Sequence, residues 1–207
     1  MYIQYGCGLS APINWINFDS SPTLRLQKIP LIGVVAKRKV CFPDNVKYGD
    51  IVKGLPNIPD NSCDGVYCSH VLEHLSLQDM RIALKNTLRI LKKGGIFRCV
   101  LPDLEDAIKN YSLDKLSNPE IASMNFMSTT LLGLSERPKG LKGLLVSFYG
   151  NSHHLWMWDH DSLKAELIAA GFSSVRKCTF NDSADKYFIT VESEGRFNNA
   201  IALEAIK

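Results

Sequence analysis

Residues 64–69 read D-G-V-Y-C-S, and residues 76–103 read S-L-Q-D-M-R-I-A-L-K-N-T-L-R-I-L-K-K-G-G-I-F-R-C-V-L-P-D. The first stretch is a short apolar run next to turn formers, which is typical of a buried strand. In the second, a capping pair, Ser76 and Asp79, precedes apolar residues at helical spacing, which predicts a helix from Ser76 to Lys93 that Gly94-Gly95 ends. A further strand is predicted at 96–101. Strand, helix and strand in succession indicate a βαβ unit with parallel strands.

The same alternation continues on both sides of this unit. Strands are predicted at 2–5, 14–18, 45–48, 174–180 and 200–206, and a second helix at 163–170. Asp161 or Ser162 would begin that helix, and Gly171 would end it. Residues 23–44 are predicted to be irregular or briefly helical, and an apolar stripe from Met124 to Leu132 is predicted to be a helix packed on the sheet. The pattern predicts an α/β fold with a mostly parallel sheet covered on both faces.

Composition limits the class of protein. The chain has 207 residues, 45% hydrophobic and 22% charged, which fits one domain spanning 1–207 and excludes wholesale disorder. The net charge of +3 gives no reason to expect nucleic acid or an anionic membrane as the main partner. The longest apolar run has eight residues, Ile29–Ala36, which is too short for a membrane span. Six cysteines without a C-x-x-C pair, and a start that is unlike a signal peptide, predict reduced thiols and a cytoplasmic protein.

Polar residues and glycines follow the predicted strands at their carboxyl ends, where ligands bind in open sheets of this kind. They are Gly6-Cys7-Gly8, Asp19, Asp50, Ser69-His70 and Asp103. Each of them alone could be a loop cap or turn residue. Together they predict a pocket at this edge.

The first loop limits what the pocket can bind. Gly6 and Gly8 would allow close approach of a ligand, and a carboxylate such as Asp19 can accept both hydroxyls of a ribose. Asp19 follows Gly8 by only eleven residues, against about 20 in the dinucleotide fingerprint. That spacing leaves no room for the helix that would bind a pyrophosphate, whereas a nucleoside without a pyrophosphate fits.

Residues 153–161 read H-H-L-W-M-W-D-H-D and suggest a metal site. The spacing matches neither an i, i+4 pair of helical ligands nor a C-x-x-C knuckle, so no metal ion is predicted. The alternating Trp156 and Trp158 favour the wall of a substrate pocket, with Asp161 capping the next helix. Plain packing is the alternative.

Two longer stretches carry a resemblance to a known family. They are Y-G-D-I-V-K-G-L-P-N-I-P-D-N-S-C-D-G-V-Y-C-S-H-V-L-E-H-L at 48–75 and L-R-I-L-K-K-G-G-I-F-R-C-V-L-P-D-L at 88–104. They resemble the class I S-adenosylmethionine-dependent methyltransferases, most closely the "type 11" methyltransferase-domain branch. The opening Y-G-C-G with W-I-N-F-D resembles a short-first-loop subgroup found among polysaccharide and cell-envelope biosynthesis enzymes. The resemblance covers 2–103 and 153–207 and leaves about 110–150 as an insert.

The resemblance implies a three-layer Rossmann-like sandwich with a seven-stranded, mostly parallel sheet whose last strand is antiparallel. It also implies S-adenosyl-L-methionine as cofactor. The Gly6-Cys7-Gly8 turn would face the methionine part of the cofactor, and Asp19 would bind its ribose. Asp50 and Ile51 would bind the adenine, and Ser69-His70 would border the sulfonium. The chain departs from the family pattern in two places, where Gln4 replaces an acidic residue and Ser10 replaces a third glycine.

The implied activity is methyl transfer to an oxygen or nitrogen atom of a small molecule, for example a sugar or a cell-envelope precursor. A hydroxyl or amine acceptor needs a base, for which His70 and His154 are the candidates. We expect His153, Trp156 and Asp103 to bind the acceptor under a lid formed by residues 110–150. Two alternatives remain open at this point: a degenerate, non-catalytic binder of S-adenosylmethionine or a nucleoside, and a nucleic-acid methyltransferase. The oligomeric state is left open.

Overall fold

A computed structural model describes residues 1–29, 41–136 and 153–207, and element labels refer to these residues. Seven strands form one sheet, interspersed with five α-helices in the described residues. In chain order the elements are β1 (Tyr2–Tyr5), β2 (Ile16–Asp19), α1 (Pro22–Gln27), β3 (Val46–Tyr48), β4 (Cys63–Ser69), α2 (Leu77–Ile90), β5 (Leu91–Pro102), α3 (Leu104–Ser117), α4 (Ala122–Thr129), α5 (His160–Ala170), β6 (Ser174–Lys177) and β7 (Ala200–Ile206). Short 3₁₀ turns lie at Leu72–His74, Lys186–Thr190 and Glu194–Phe197.

The strand order is β3-β2-β1-β4-β5-β7-β6, and β7 runs antiparallel to both of its neighbours. The other pairings are parallel. This topology confirms the predicted Rossmann-like sheet with an antiparallel last strand. The brief helix within 23–44 is α1, while residues 30–40 lie outside the described ranges.

Alternating strand residues build a core on each face of the sheet, because successive side chains of a strand point to opposite faces. Val66 packs in the larger core with apolar residues of α2 and α5, such as Leu84 and Leu163. The neighbouring Tyr67 packs in the second core with Trp15 and Phe188. The side chains that reach a ligand must therefore come from the strand ends and the loops.

The helix predicted from Ser76 to Lys93 ends earlier than expected. Its N-cap is Ser76 as expected, but α2 ends at Ile90 and β5 begins at Leu91. The register of β5 against β4 shifts between the pairs Cys63–Leu91 and Gly65–Ile96, so residues 92–95 form a bulge. Gly94, at φ 77°, is part of this bulge rather than a helix stop.

Two other boundary predictions and one packing prediction are wrong. Asp159 caps α5, in a reciprocal capping box with Ser162, whereas the predicted cap Asp161 is exposed. Strand β6 ends at Lys177 instead of residue 180, since Thr179 turns away to bond the Asp182 carboxylate. The Met124 stripe forms α4, but Met124 itself is 67% exposed, and Phe126 packs on Tyr111 of α3 rather than on the sheet.

The predicted insert at 110–150 begins inside α3, and residues 137–150 lie outside the described ranges. No helix in the described part of the chain combines the length and the apolar character that crossing a membrane requires. The six cysteines are free thiols, and Cys41 is the exposed one.

Candidate active site

The strand order reverses between β1 and β4, and this switch point lies at the carboxyl edge of the parallel strands. The chain leaves β1 through Gly6 and leaves β4 through His70, so these two loops flank the crevice. Asp19 ends β2, which is the outer neighbour of β1, and Asp103 follows β5, which is the outer neighbour of β4. The fold therefore brings most of the predicted residues to one edge.

The glycine turn leaves space beside the backbone. Gly6 and Gly8 have φ values of 66° and 54°. A Cβ atom at Gly6 would lie 2.2 Å from Cγ2 of Val71, whereas a Cβ at Gly8 would meet no atom within 4 Å. Gly6 is thus required by packing inside the protein, and Gly8 borders an open cradle into which a side chain would project. Cys7 between them is buried.

Asp19 is held beside this turn. Its Oδ2 accepts the Gly8 N–H at 2.8 Å, and its Oδ1 accepts the Ser21 N–H at 2.7 Å. Each carboxylate oxygen has a second acceptor position, so the fixed carboxylate can still accept two hydroxyl groups. This arrangement fits the ribose of a nucleoside cofactor next to the open space at Gly8.

Asp50 and Ile51 follow β3 on the outer side of Asp19. The Asp50 carboxylate accepts the Val52 N–H at 3.0 Å, and its other oxygen lies 3.6 Å from the Lys53 ammonium. Ile51 is buried, and its carbonyl accepts a hydrogen bond from the Asn86 side chain. Asp50 forms the turn there, and its role toward the adenine stays a prediction.

The departure from the family pattern at Gln4 has a structural role. Gln4 is buried, and its Nε2 donates to the Ser10 carbonyl and to Asn17 Oδ1, at 2.5 Å and 2.7 Å. Asn17 in turn donates to the carbonyls of Pro12 and Trp15. An amide at position 4 therefore fixes the short first loop, which a carboxylate could not do toward a carbonyl oxygen.

His70 adopts a left-handed backbone conformation, φ 54°, directly after β4. Its Nε2 lies 3.0 Å from the Arg196 carbonyl oxygen. Because a carbonyl only accepts, Nε2 carries the hydrogen, and in the neutral ring Nδ1 holds the lone pair. Nδ1 lies 3.5 Å from Oε1 of Glu73. Burial lowers the pKa of His70, so that the ring is neutral at neutral pH.

Glu73 is the most deeply buried acidic group of this region, at 1% exposure, and neither carboxyl oxygen forms a hydrogen bond. Burial raises its pKa to about 8. Three imidazoles surround it, because the rings of His74 and His154 also lie next to Oε1. The H-x-x-E-H spacing of residues 70–74 was the local signal for this cluster, but the approach of His154 depends on the fold.

A cleft of about 390 Å³ opens next to His70. The predicted acceptor residue Asp103 also lines it, while its Oδ1 caps α3. The rest of the described lining is largely polar and was not predicted residue by residue: Pro102, Asp106, Ala107, Asn110, Tyr111, Asp114, Ala122, Asn125, Phe126, Thr129, Thr130, Met157, Asn198 and Asn199. With Asp103, the described lining includes three aspartates and neither lysine nor arginine.

The predicted acceptor-binding segment lies beside this cleft rather than around it. The backbone N–H groups of Leu155 and Trp156 donate to the Glu73 carbonyl, which docks the segment on the 3₁₀ turn. Trp156 is 43% exposed, and Trp158 is in the core. His154 is buried against Glu73, and His153 contributes its carbonyl to His74. Met157 is the residue of this segment that reaches the cleft.

Comparison with known proteins agrees with this architecture. Residues 4–99 match the family model of a methyltransferase domain. None of the curated protein sequences matches the chain. Among solved structures, a SAM-dependent methyltransferase from Archaeoglobus fulgidus has a TM-score of 0.52 at 17% identity, covering 100% of this chain and 85% of that one. A SAM-dependent methyltransferase from Thermotoga maritima, described as a possible histamine N-methyltransferase, has a TM-score of 0.51 at 18% identity, with 100% and 81% coverage.

A third similar structure was determined with S-adenosylhomocysteine. It is PigF, with a TM-score of 0.51 at 15% identity, covering 100% of this chain and 50% of that one. At these identities the solved structures establish the fold, and the domain match at residues 4–99 covers the loops that follow β1, β2, β3 and β4.

Proposed function

We propose that the chain is a class I S-adenosylmethionine-dependent methyltransferase that methylates an oxygen or nitrogen atom of a small polar molecule such as a sugar. The match of residues 4–99 to a methyltransferase-domain model and the shared fold support the reaction class. S-Adenosylmethionine is the cofactor, and when bound it supplies the electrophilic methyl group. The observation that supports the acceptor class is the cleft beside His70, whose described lining carries three aspartates and four asparagines and neither lysine nor arginine.

On the cofactor side, we assign the ribose to Asp19 and the space next to the methionine part to Gly6, Cys7 and Gly8. The support is the open cradle at Gly8 beside a carboxylate that is already oriented by two backbone N–H groups. Asp50, Ile51 and Ser69 complete the proposed set at the same edge. A carboxylate fixed in this way accepts hydroxyl groups without losing side-chain freedom when the ligand binds.

On the acceptor side, we assign Asp103 and the α3–α4 pair to binding of the substrate. The end of α3 and all of α4 lie in the region 110–150 that was predicted as a lid. The two helices and Thr130, the C-cap of α4, contribute eight polar or aromatic residues to the lining: Asp106, Asn110, Tyr111, Asp114, Asn125, Phe126, Thr129 and Thr130. Carboxylates and amides hydrogen-bond hydroxyl and amino groups, and a flat aromatic ring packs on the apolar face of a sugar. The same carboxylates repel phosphate groups, which disfavours RNA, DNA and phosphorylated sugars as acceptors.

His70 is the proposed base. Its ring lines the cleft, and its Nε2–H bond to the Arg196 carbonyl fixes the tautomer in which Nδ1 is free to take a proton. A proton accepted there lies between the ring and the Glu73 carboxyl group, 3.5 Å away. In-line methyl transfer depends mainly on alignment, and deprotonation of a hydroxyl adds to it.

The test is formation of S-adenosylhomocysteine with panels of neutral sugars, amino sugars, sugar phosphates and short RNA. We expect turnover in the neutral or amino panels. Asp103→Asn should raise the KM of the acceptor at least fivefold and leave cofactor affinity unchanged, and His70→Gln should lower kcat. Asp161→Asn, at an exposed aspartate outside the cleft, is the matched control and should behave like the wild type. Turnover with RNA or sugar phosphates alone would contradict the acceptor assignment.

A further inference from the structure

Glu73, His74 and His154 place three metal-binding atoms close together beside the crevice. One carboxylate oxygen and one imidazole nitrogen from each histidine all lie within 4.8 Å of one another. Oε1 of Glu73 is 3.9 Å from Nε2 of His74 and 3.9 Å from Nε2 of His154. We propose that these three side chains bind a divalent transition-metal ion of the zinc class.

The three ligand atoms would have to move closer together to bind such an ion. Ligand atoms that lie about 2.0–2.2 Å from a tetrahedral ion are about 3.4 Å from one another. The two pairs at 3.9 Å would therefore each close by about half an ångström. The third pair, between the two histidine nitrogens, lies within 4.8 Å and would close by at most about 1.4 Å, which rotation of the two imidazole rings would have to supply. Two histidines and one glutamate are a known set of protein ligands for zinc, with a fourth position open to water or substrate.

The orientation of His74 supports coordination independently of the distances. Its Nδ1 lies 3.0 Å from the His153 carbonyl oxygen, so Nδ1 carries the hydrogen and Nε2 directs a lone pair toward Glu73. Metal-binding histidines commonly donate their second ring N–H to a carbonyl or carboxylate in this way. The lone pair of His74 Nε2 and the carboxylate oxygen of Glu73 repel each other unless a proton or a cation lies between them.

The state of Glu73 is the second independent observation. Its side chain is 1% exposed, and neither oxygen has a hydrogen-bond donor within the protein. Buried carboxylates are normally paired, hydrogen-bonded or bound to a metal. No lysine or arginine side chain forms an ion pair with Glu73 among the described residues.

The choice of metal follows from the donors. Two imidazole nitrogens and one carboxylate suit zinc, iron or cobalt, whereas magnesium and calcium prefer oxygen ligands only. Such an ion would connect the turn Leu72–His74 to the segment that begins at His153, which is 79 residues away from His74. It would lie beside His70 without requiring His70 as a ligand.

The experiment uses the full chain after treatment with a chelator, without cofactor or acceptor, on a Cys41→Ser background that removes the exposed thiol. Titration calorimetry with Zn²⁺ alone should give one ion per chain, and Zn²⁺ should raise the melting temperature. Co²⁺ alone should give visible absorption bands of nitrogen and oxygen coordination, which Zn²⁺ removes. Mg²⁺ should give neither effect.

Glu73→Gln and His154→Ala should each weaken Zn²⁺ binding at least tenfold, and His160→Ala should bind like the parent. His160 is the matched control because it is on the same segment but pairs with Asp161. Circular dichroism of the chelator-treated proteins shows whether a variant is folded. If a variant is not folded, the Co²⁺ spectrum of the parent protein shows whether imidazole nitrogens bind the ion.

Binding of less than about one ion in five chains, a Co²⁺ spectrum without nitrogen ligands, or equal affinity in folded Glu73→Gln and the parent would each overturn the proposal. Because these readouts need neither cofactor nor acceptor, they are independent of the proposed methyl transfer. If no acceptor in the panels is methylated, the metal-binding result is unaffected. If no metal ion binds, the result of the acceptor panels is unaffected.

Discussion

At the scale of single residues, Asp19, the proposed ribose ligand, is held in place by two hydrogen bonds from the backbone. Its carboxylate accepts backbone N–H groups from Gly8 and Ser21, so it is oriented before a ligand arrives. Sequence predicted this residue because a carboxylate at the end of the second strand is the expected partner of a ribose. The hydrogen bond to Gly8 was not predictable, since it depends on how the short first loop folds back.

We predict that Asp19→Asn lowers the affinity for S-adenosylhomocysteine at least tenfold while the protein stays folded. A charge-assisted hydrogen bond contributes about 1.5–3 kcal/mol, and the amide keeps one acceptor for the backbone. Titration calorimetry measures the affinity, with exposed Asp44→Asn as control. Unchanged affinity in Asp19→Asn would place the ribose elsewhere.

Two neighbouring glycines should respond differently to the same substitution. Gly8→Ala has room for its Cβ, so we expect a loss of about 1 kcal/mol from the left-handed backbone together with weaker cofactor binding. Gly6→Ala would bring its Cβ against Val71 and should destabilise the protein more. Urea unfolding and calorimetry on both variants test this. Normal cofactor affinity in Gly8→Ala would contradict the open cradle as a binding site.

At the scale of elements, helix α5 positions the segment that carries His154. The sequence predicted the helix and its Gly171 end, but it predicted Asp161 or Ser162 as the cap instead of Asp159. The fold selects Asp159 because Trp158 is fixed beside Asp103 at the end of β5, and α5 begins directly after it. Such competition between adjacent caps is decided by tertiary contacts, which local pattern does not contain.

We predict that Asp159→Ala lowers the free energy of unfolding by about 1 kcal/mol, the usual value of an N-cap. The reason is that its carboxylate accepts the Ser162 N–H at 2.8 Å. Asp161→Ala should change stability by less than about 0.5 kcal/mol, because its side chain is exposed. Urea unfolding at pH 7 compares the two, and equal losses would contradict the assigned cap.

At the scale of the whole molecule, Arg98 of β5 holds the C-terminal third against the sheet. Its guanidinium is buried and donates to Glu192, Glu204 and Asp182, at 2.6 Å, 2.8 Å and 3.0 Å. These partners are 84–106 residues away from Arg98. The strand pattern was predictable from sequence, whereas this buried network and the Glu73–His154 contact were not, since periodicity carries no information on distant pairs.

Acid should weaken this network. Burial opposes ionisation of Asp182 and Glu204, but hydrogen bonds from Arg176 and Arg98 outweigh it and lower the pKa of both groups. A carboxyl group whose pKa is lowered by folding stabilises the folded state at pH values above the ordinary pKa of the group. This stabilisation is lost progressively as the pH falls from the ordinary pKa toward the lowered one. Asp182→Asn should therefore be less stable than the wild type at pH 7, and the difference should shrink at pH 3. Urea unfolding at both pH values tests this, and a constant difference would contradict it.

The cofactor is the central claim, and titration calorimetry of the wild-type chain with S-adenosylhomocysteine and with NAD tests it most directly. We expect one S-adenosylhomocysteine per chain and no measurable heat with NAD, because the loop from Gly6 to Trp15 contains no helix to bind a pyrophosphate. Binding of NAD together with no binding of S-adenosylhomocysteine would contradict the account.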